Sequence, residues 1–196
     1  MQDLVRTWLF PPACVACDAP GPALCATCAP GERDTIAFEI EGIPAFALGR
    51  YDGALRRAVV AMKNGRRDPL DAFAGLLAAR APLEGVLVGI PTSRGRVLDR
   101  GFDQGAELAR KLAALRAKRC AELLAKRGNA QAGLGRRARL AAAGRFRMRD
   151  GVPVPPVVTL VDDVCTTGAT ARDAVHAVQA CGGHVSGIVV VARTER

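Results

Sequence analysis

Two apolar runs, VLVGI from Val86 and VVTLV from Val157, constrain this chain most, and a third, VSGIVVVA from Val185, lies near its end. The first two lack polar alternation, so each predicts a strand buried on both faces, as parallel strands lying under helices are. Helical spacing separates them. Leu108, Leu112 and Leu115 predict a helix from about Phe102, and Val175 and Val178 predict another that ends near Gly182 and Gly183. Strand, helix, strand, helix, strand implies an α/β domain with a parallel sheet covered on both faces. A weaker strand is expected near Cys120 to Leu124.

Upstream, TIAFEIE and AFALGRY flank Gly42-Ile43-Pro44 and predict a hairpin. Leu55, Val59 and Met62 recur at helical spacing, and Asp68 followed by Pro69 predicts an N-cap and first turn with Leu70, Phe73 and Leu77 facing inward. A chain of 196 residues buries one good core with room for a small attached module. The 49% apolar content excludes a disordered chain. No run approaches the roughly 20 apolar residues of a transmembrane helix. MQDLVRTWLFPPAC carries an acid at Asp3 and lacks the basic-then-apolar layout of a signal peptide, so a cytoplasmic address is expected. Trp8, Leu9 and Phe10 are expected to pack inward, with a partner at the membrane as the alternative.

Of seven cysteines, Cys14, Cys17, Cys25 and Cys28 form CVAC and CATC inside fifteen residues. Two such knuckles supply four thiolates for a tetrahedral site, and zinc is the usual metal there, with redox dithiols or an iron–sulfur centre as alternatives. Residues 1–34 are read as this zinc-ribbon module and 35–196 as the main domain. Cys120, Cys165 and Cys181 are scattered and read as small buried hydrophobes. The two histidines, His176 and His184, have no partner pattern and read as structural.

Charge is concentrated. Residues 116–149 hold eleven Lys or Arg against the single acid Glu122, a surplus of +10 in a chain whose total is +9. Such a segment attracts phosphates, whether of a nucleic acid or a small polyanion, or else forms a solvated basic face. Phe146 is its one aromatic residue, which argues against a groove that stacks bases.

The stretch VTLVDDVCTTGAT, residues 158–170, ends the second apolar strand in Asp162 and Asp163. In a parallel sheet, ligands bind beyond the carboxyl ends of strands. Thr166, Thr167, Gly168, Ala169 and Thr170 then lead into a helix, so backbone N–H groups, hydroxyls and the helix dipole converge on one anion. The carboxylates beside this phosphate cradle suit hydroxyls. A phosphate with vicinal hydroxyls nearby is a ribose 5-phosphate.

The acidic pair with TTGAT resembles the 5-phosphoribosyl 1-pyrophosphate (PRPP) motif of type I phosphoribosyltransferases. With the four cysteines, YDGALRRAVVAMKNG, IPTSRGRVLDRGFDQGAELAR, and Gln131 with GLGRRARL, the chain resembles the ComF family over nearly its whole length. The resemblance implies a type I phosphoribosyltransferase-like fold with a small N-terminal zinc ribbon. It implies that Asp162 and Asp163 bind the ribose hydroxyls and act catalytically if the site is active, and that Thr166 to Thr170 bind the 5-phosphate. Pro91, Thr92, Ser93 and Arg94 would meet magnesium-bound pyrophosphate. Lys63, Arg100, Gln104 and Gln131 match family positions without an assigned role. One departure is Ala141-Ala142-Ala143 after Arg139-Leu140, where the family usually has an asparagine.

The same resemblance implies a competence protein that helps handle single-stranded DNA during uptake in natural transformation. Its expected partners are DNA-processing proteins such as the primosomal helicase, with peripheral association with the membrane uptake machinery. A phosphoribosyltransferase of unknown acceptor and a non-catalytic PRPP sensor are the alternatives. For transfer, Arg94 and Arg96 would serve pyrophosphate or else form a solvated turn, and a mobile basic loop from about Lys126 to Arg139 would close over the site.

Overall fold

The computed structural model describes residues 12–126 and 144–195. Trp8, Leu9, Phe10, Arg127, Gln131 and the GLGRRARL stretch lie outside the described residues, as does the loop departure at Ala141 to Ala143. The elements run β1 (Ile36–Ile40), β2 (Ile43–Arg50), α1 (Gly53–Lys63), α2 (Asp68–Arg80), β3 (Val86–Gly89), α3 (Arg94–Arg100) and α4 (Gln104–Leu115). They continue with β4 (Leu124–Lys126), β5 (Phe146–Met148), β6 (Val157–Cys165), α5 (Ala169–Gln179) and β7 (His184–Arg193).

The main sheet has five strands in the order β1-β2-β7-β6-β3. Strands β2, β7, β6 and β3 run parallel, and β1 is antiparallel to β2. This is the mostly parallel α/β architecture expected from the unalternating runs. One face is covered by α1, α2 and α4, whose Val59, Met62, Phe73, Leu77 and Leu108 bury against Leu87, Val161, Val189 and Val191. The other face is covered by α5 and the antiparallel β4–β5 pair, whose Val175, Val178 and Phe146 bury against Val88, Leu160, Ile188 and Val190. Each such side chain contributes about 1.5–3 kcal/mol on burial, and both layers together fix where the strand ends lie.

Helix α4 sits unusually close to β3. A Cβ added at Gly89 would fall 2.5 Å from the Gly105 carbonyl, and one at Gly105 would fall 2.4 Å from the Ile90 oxygen. Only paired glycines allow this backbone-to-backbone contact, which carries the start of α4 to the end of β3.

Several local expectations are corrected. The hairpin turns at Glu41 and Gly42, so Ile43 and Pro44 belong to β2. Asp68 is the first residue of α2 and Arg67 its cap, because the Asp68 carboxylate is taken by the Arg66 guanidinium at 3.0 Å. Helix α4 starts at Gln104, since Asp103 caps it by accepting from the Ala106 N–H, and Leu115 at its far end is exposed. The strand expected from Cys120 to Leu124 divides. Cys120 makes one parallel bridge to Leu87, and β4 begins at Leu124 in a separate two-stranded sheet with β5. Helix α3 was not anticipated, because RGRVLDR holds too few apolar residues to mark a stripe.

The cysteine segment packs onto the main body. Cys14, Ala16 and Leu24 join the buried cluster of α1 and α2. Arg57 Nε donates to the Ala16 carbonyl and Arg80 Nη1 to the Pro30 carbonyl, both at 2.7 Å.

Candidate functional site

The sulfurs of Cys14, Cys17, Cys25 and Cys28 all lie within 4.8 Å of one another. Four ligands about 2.3 Å from a tetrahedral zinc stand about 3.8 Å apart, and the Cys17 and Cys25 sulfurs are 3.7 Å apart. The donor set and its spacing therefore fit zinc. The Cys25 N–H points at Cys14 Sγ at 3.5 Å, as thiolate knuckles require. Burial pushes the Cys14 thiol up, but backbone donors from Cys25, Ala16 and Cys17 outweigh it and hold it at about 6. Of the scattered cysteines, Cys165 is buried as expected, whereas Cys120 and Cys181 are exposed, one at the margin of β3 and the other in the turn after α5.

A cleft of about 510 Å³ opens where β3 and β6 end. It is lined by Asp162 and Asp163, consecutive residues near the end of β6. Asp162 Oδ1 accepts from the Asp163 N–H at 2.8 Å. Burial, and then the adjacent Asp163 carboxylate, hold Asp162 well above the usual carboxylate range. Lys63, the last residue of α1, reaches Asp163 Oδ2 at 3.1 Å and lies 5.8 Å over the Tyr51 ring. Two adjacent carboxyl groups suit a pair of hydroxyls.

The loop after β6 turns through Gly168, whose φ of 75° favours glycine, into the N-terminus of α5. Thr166 and Thr170 line the same cleft as the acids. Thr167 turns into an adjoining groove with Arg193 and Thr194, while its Oγ1 accepts from the Ala169 N–H at 3.4 Å. Across the cleft lie Pro91 and Thr92. Asp103 fixes this turn by accepting from the Thr92 N–H at 2.9 Å while also capping α4. Ser93 is the N-cap residue of α3 and Arg94 its first residue.

Cations surround the cleft. Lys63, Arg96, Arg100, Lys126 and Arg145 all line it. Burial, then Arg96 and Arg145, depress the Lys126 ammonium below its ordinary value, while Asp162 and Asp103 oppose the shift. Arg145 Nη1 donates to Thr170 Oγ1 at 2.9 Å and its Nε reaches Asp173 at 3.2 Å. Other members of the basic segment are paired at the surface, Arg147 with Asp150 and Arg149 with Glu122. Arg127, Arg136, Arg137 and Arg139 lie outside the described residues.

The sequence reading missed Asp103, Tyr51 and Arg145 as parts of the site. Asp103 stood in a recognisable cap position before a helix, Arg145 was marked only as one of the basic residues of 116–149, and nothing local marked Tyr51. His176 stays clear of the cleft and pairs with Glu41 at 2.8 Å.

No family model matches the chain, and no curated protein matches it. Solved structures that it resembles include the allosteric regulatory enzyme of purine biosynthesis, at 20% identity and TM-score 0.45, covering 67% of this chain and 26% of that one. Adenine phosphoribosyltransferase from Leishmania donovani matches at 20% identity and TM-score 0.40, covering 67% and 55%. The same enzyme from Leishmania tarentolae matches at 18% identity and TM-score 0.44, covering 81% and 82%. The chain thus spans about a quarter and about half of the first two. Among the described residues, no helix is long and apolar enough to cross a membrane.

Proposed function

We propose that the cleft at the ends of β3 and β6 binds PRPP or a related ribose phosphate together with magnesium. The observation that carries this reading is the meeting, in one cleft, of the Asp162–Asp163 pair with Thr166 and Thr170 at the start of α5 and a ring of cations. The acids would hold the ribose hydroxyls, residues 166–170 the 5-phosphate, and Pro91 to Arg94 the magnesium pyrophosphate. Arg96, Arg100 and Lys126 supply countercharge for the anionic groups. Calorimetric titration with PRPP and magnesium tests it. Binding by the wild type that disappears in the Asp162→Ala, Asp163→Ala double variant is expected, and absence of binding by the wild type overturns it.

The four cysteines would hold a structural zinc, with residues 1–34 forming the metal module and 35–196 the ligand-binding domain. In this reading the protein is a cytoplasmic ComF-like competence protein, helping to handle incoming single-stranded DNA with a helicase-type partner at the uptake machinery. Both a phosphoribosyltransferase of unknown acceptor and a PRPP sensor fit the same site. The sensor has one specific observation in its favour. Arg145, just before β5 within the basic segment, donates to Thr170 of the cradle, so occupancy of the cradle would be felt there. Transformation frequency in the double variant separates a ligand-dependent role from one resting on zinc and DNA contacts alone.

A further inference from the structure

The main sheet has one closed edge and one open edge. At the β3 edge, the Leu87 N–H donates to the Arg119 carbonyl at 2.9 Å and the Leu87 carbonyl accepts from the Ala121 N–H at 3.0 Å. Strand β1 ends the sheet on the other side, and among the described residues no strand or bridge pairs with its outer edge. The turn decides what that edge offers. Glu41 and Gly42, with φ of 53° and 76°, form a two-residue turn that sets Ile40 opposite Ile43. Residues flanking such a turn exchange both backbone hydrogen bonds, so Ile36, Phe38 and Ile40 direct their N–H and C=O groups at β2. Pro44, opposite Glu39, has no N–H to give and fits the same alternation. Ala37 and Glu39 therefore present their N–H and C=O groups outward, a template for one more strand.

The side chains determine which strand fits. Ile36, Phe38 and Ile40 form an apolar row on the α5 side of the sheet, with the Arg193 guanidinium 4.0 Å from the centre of the Phe38 ring. Ala37 and Glu39 are exposed. A second copy lying antiparallel must bond through Ala37 and Glu39 of both chains, which leaves three registers. One sets Glu39 against the partner's Glu39, two like charges directly opposite. Another sets Ala37 against the partner's Ala37 and leaves Ile40 facing the partner's Asp34. The third sets Ala37 against the partner's Glu39 and centres the pair on Phe38. It alone matches all five residues of β1, with Ile36 opposite Ile40 and Phe38 opposite Phe38, the apolar pairing that stabilises antiparallel strands. Glu41, just past this joint, is already engaged by Arg172 at 2.9 Å and His176 at 2.8 Å. We propose that β1 is a self-association edge, at which two copies of this chain pair antiparallel about Phe38 and join their sheets into one. Because the β3 edge is closed, association ends at two copies. Ile40 lies against the threonine loop, its Cδ1 3.5 Å from where a Cβ on Gly168 would stand. Two-fold pairing therefore sets the two threonine loops at opposite ends of the joint, and it does not depend on what the cleft binds.

Sedimentation velocity of the full chain across the micromolar range tests the pairing, with circular dichroism checking the fold of each variant. A concentration-dependent monomer–dimer equilibrium is expected, weak because a five-residue edge makes a small interface. Ala37→Pro removes an outward N–H that β2 does not use, a change edge strands tolerate, and should weaken the dimer about 10-fold or more. Ala37→Lys sets a cation opposite the partner's Glu39 and should tighten the dimer several-fold, whereas Ala37→Glu sets an anion there and should loosen it by a similar factor. These two exposed changes read the register even if Ala37→Pro disturbs β1. A monomer at every concentration would overturn the proposal, whatever other segment or protein then takes the edge. So would a dimer indifferent to all three substitutions. Weakening by Ala37→Lys as large as that by Ala37→Glu would overturn it as well, because it belongs to the register that sets Ala37 on Ala37.

Discussion

The cysteine knuckles and the cleft are both candidate ligand sites, but they are built on opposite plans. The knuckles take their donors from residues 14 to 28, and two tight turns bring the sulfurs within 4.8 Å. The cleft draws Tyr51 and Lys63 from one side of the domain, Thr92, Arg100 and Gln104 from another, and Asp162, Asp163 and Thr170 from a third. A site made from one short segment depends on local turns and its metal. A site made from several segments depends on every layer that positions them, so its geometry can be damaged from far away.

The largest expected effect follows from that dependence. Gly105→Val should cost about 4 kcal/mol or more, because the new side chain meets backbone that has nowhere to retreat. The cleft should fail while thiol–metal spectroscopy of any folded fraction still reports intact knuckles; loss of both together would break the contrast. Next, removing zinc by chelation, or Cys14→Ser with Cys17→Ser, should lower stability by about 2–4 kcal/mol in thermal unfolding. Cys14 and Leu24 belong to the core shared with α1 and α2, so PRPP affinity should fall by less than the stability does.

Smaller changes sharpen the comparison inside the cleft. Lys63→Met strands the Asp163 carboxylate and should cost about 1–2 kcal/mol, discounted for the partial exposure of the lysine. Asp162→Asn should do the reverse and raise stability at neutral pH, because it removes a carboxyl whose charged form is disfavoured there. Its folded value is raised, so the acid's favourable contribution is complete below its ordinary 3.8 and is lost as pH rises through the folded value. The gain from Asn should therefore grow with pH above about 4, as a series of melting curves would reveal. A flat difference would mean that Asp162 is not held protonated. Smallest of all, Arg149→Ala removes the surface pair with Glu122 and a long 3.4 Å bond from Nε to the Leu124 carbonyl, and should change stability by less than about 1 kcal/mol.

The same contrast explains what was legible in the sequence. The unalternating runs identified the parallel strands because burial on both faces leaves a compositional mark along a single strand. The acidic pair and TTGAT were readable because strand end, loop and helix start are contiguous. Tyr51 carries no such mark and Arg145 stood out only as one of eleven basic residues, since their places come from α1 packing beside β2 and β7 and from β5 packing against α5. Gln104 lay inside a quoted stretch, but the bond its carbonyl accepts from Arg100 appears only in the fold. Helix α3 escaped because an exposed, arginine-rich turn has no apolar stripe, and Leu98 on it is 82% exposed.

The contact between Gly89 and Gly105 has a dynamic consequence. Side chains can change rotamer and let a helix slide, but two backbones in contact have no such freedom. Helix α4 is therefore the stationary wall of the cleft, carrying Gln104 with it. Adjustment on binding must come from the short helix α3, which carries Arg96 and Arg100, and from the β4–β5 pair, which holds Lys126 and follows directly on Arg145. Hydrogen exchange should accordingly slow in those two elements when ligand binds and stay unchanged along α4.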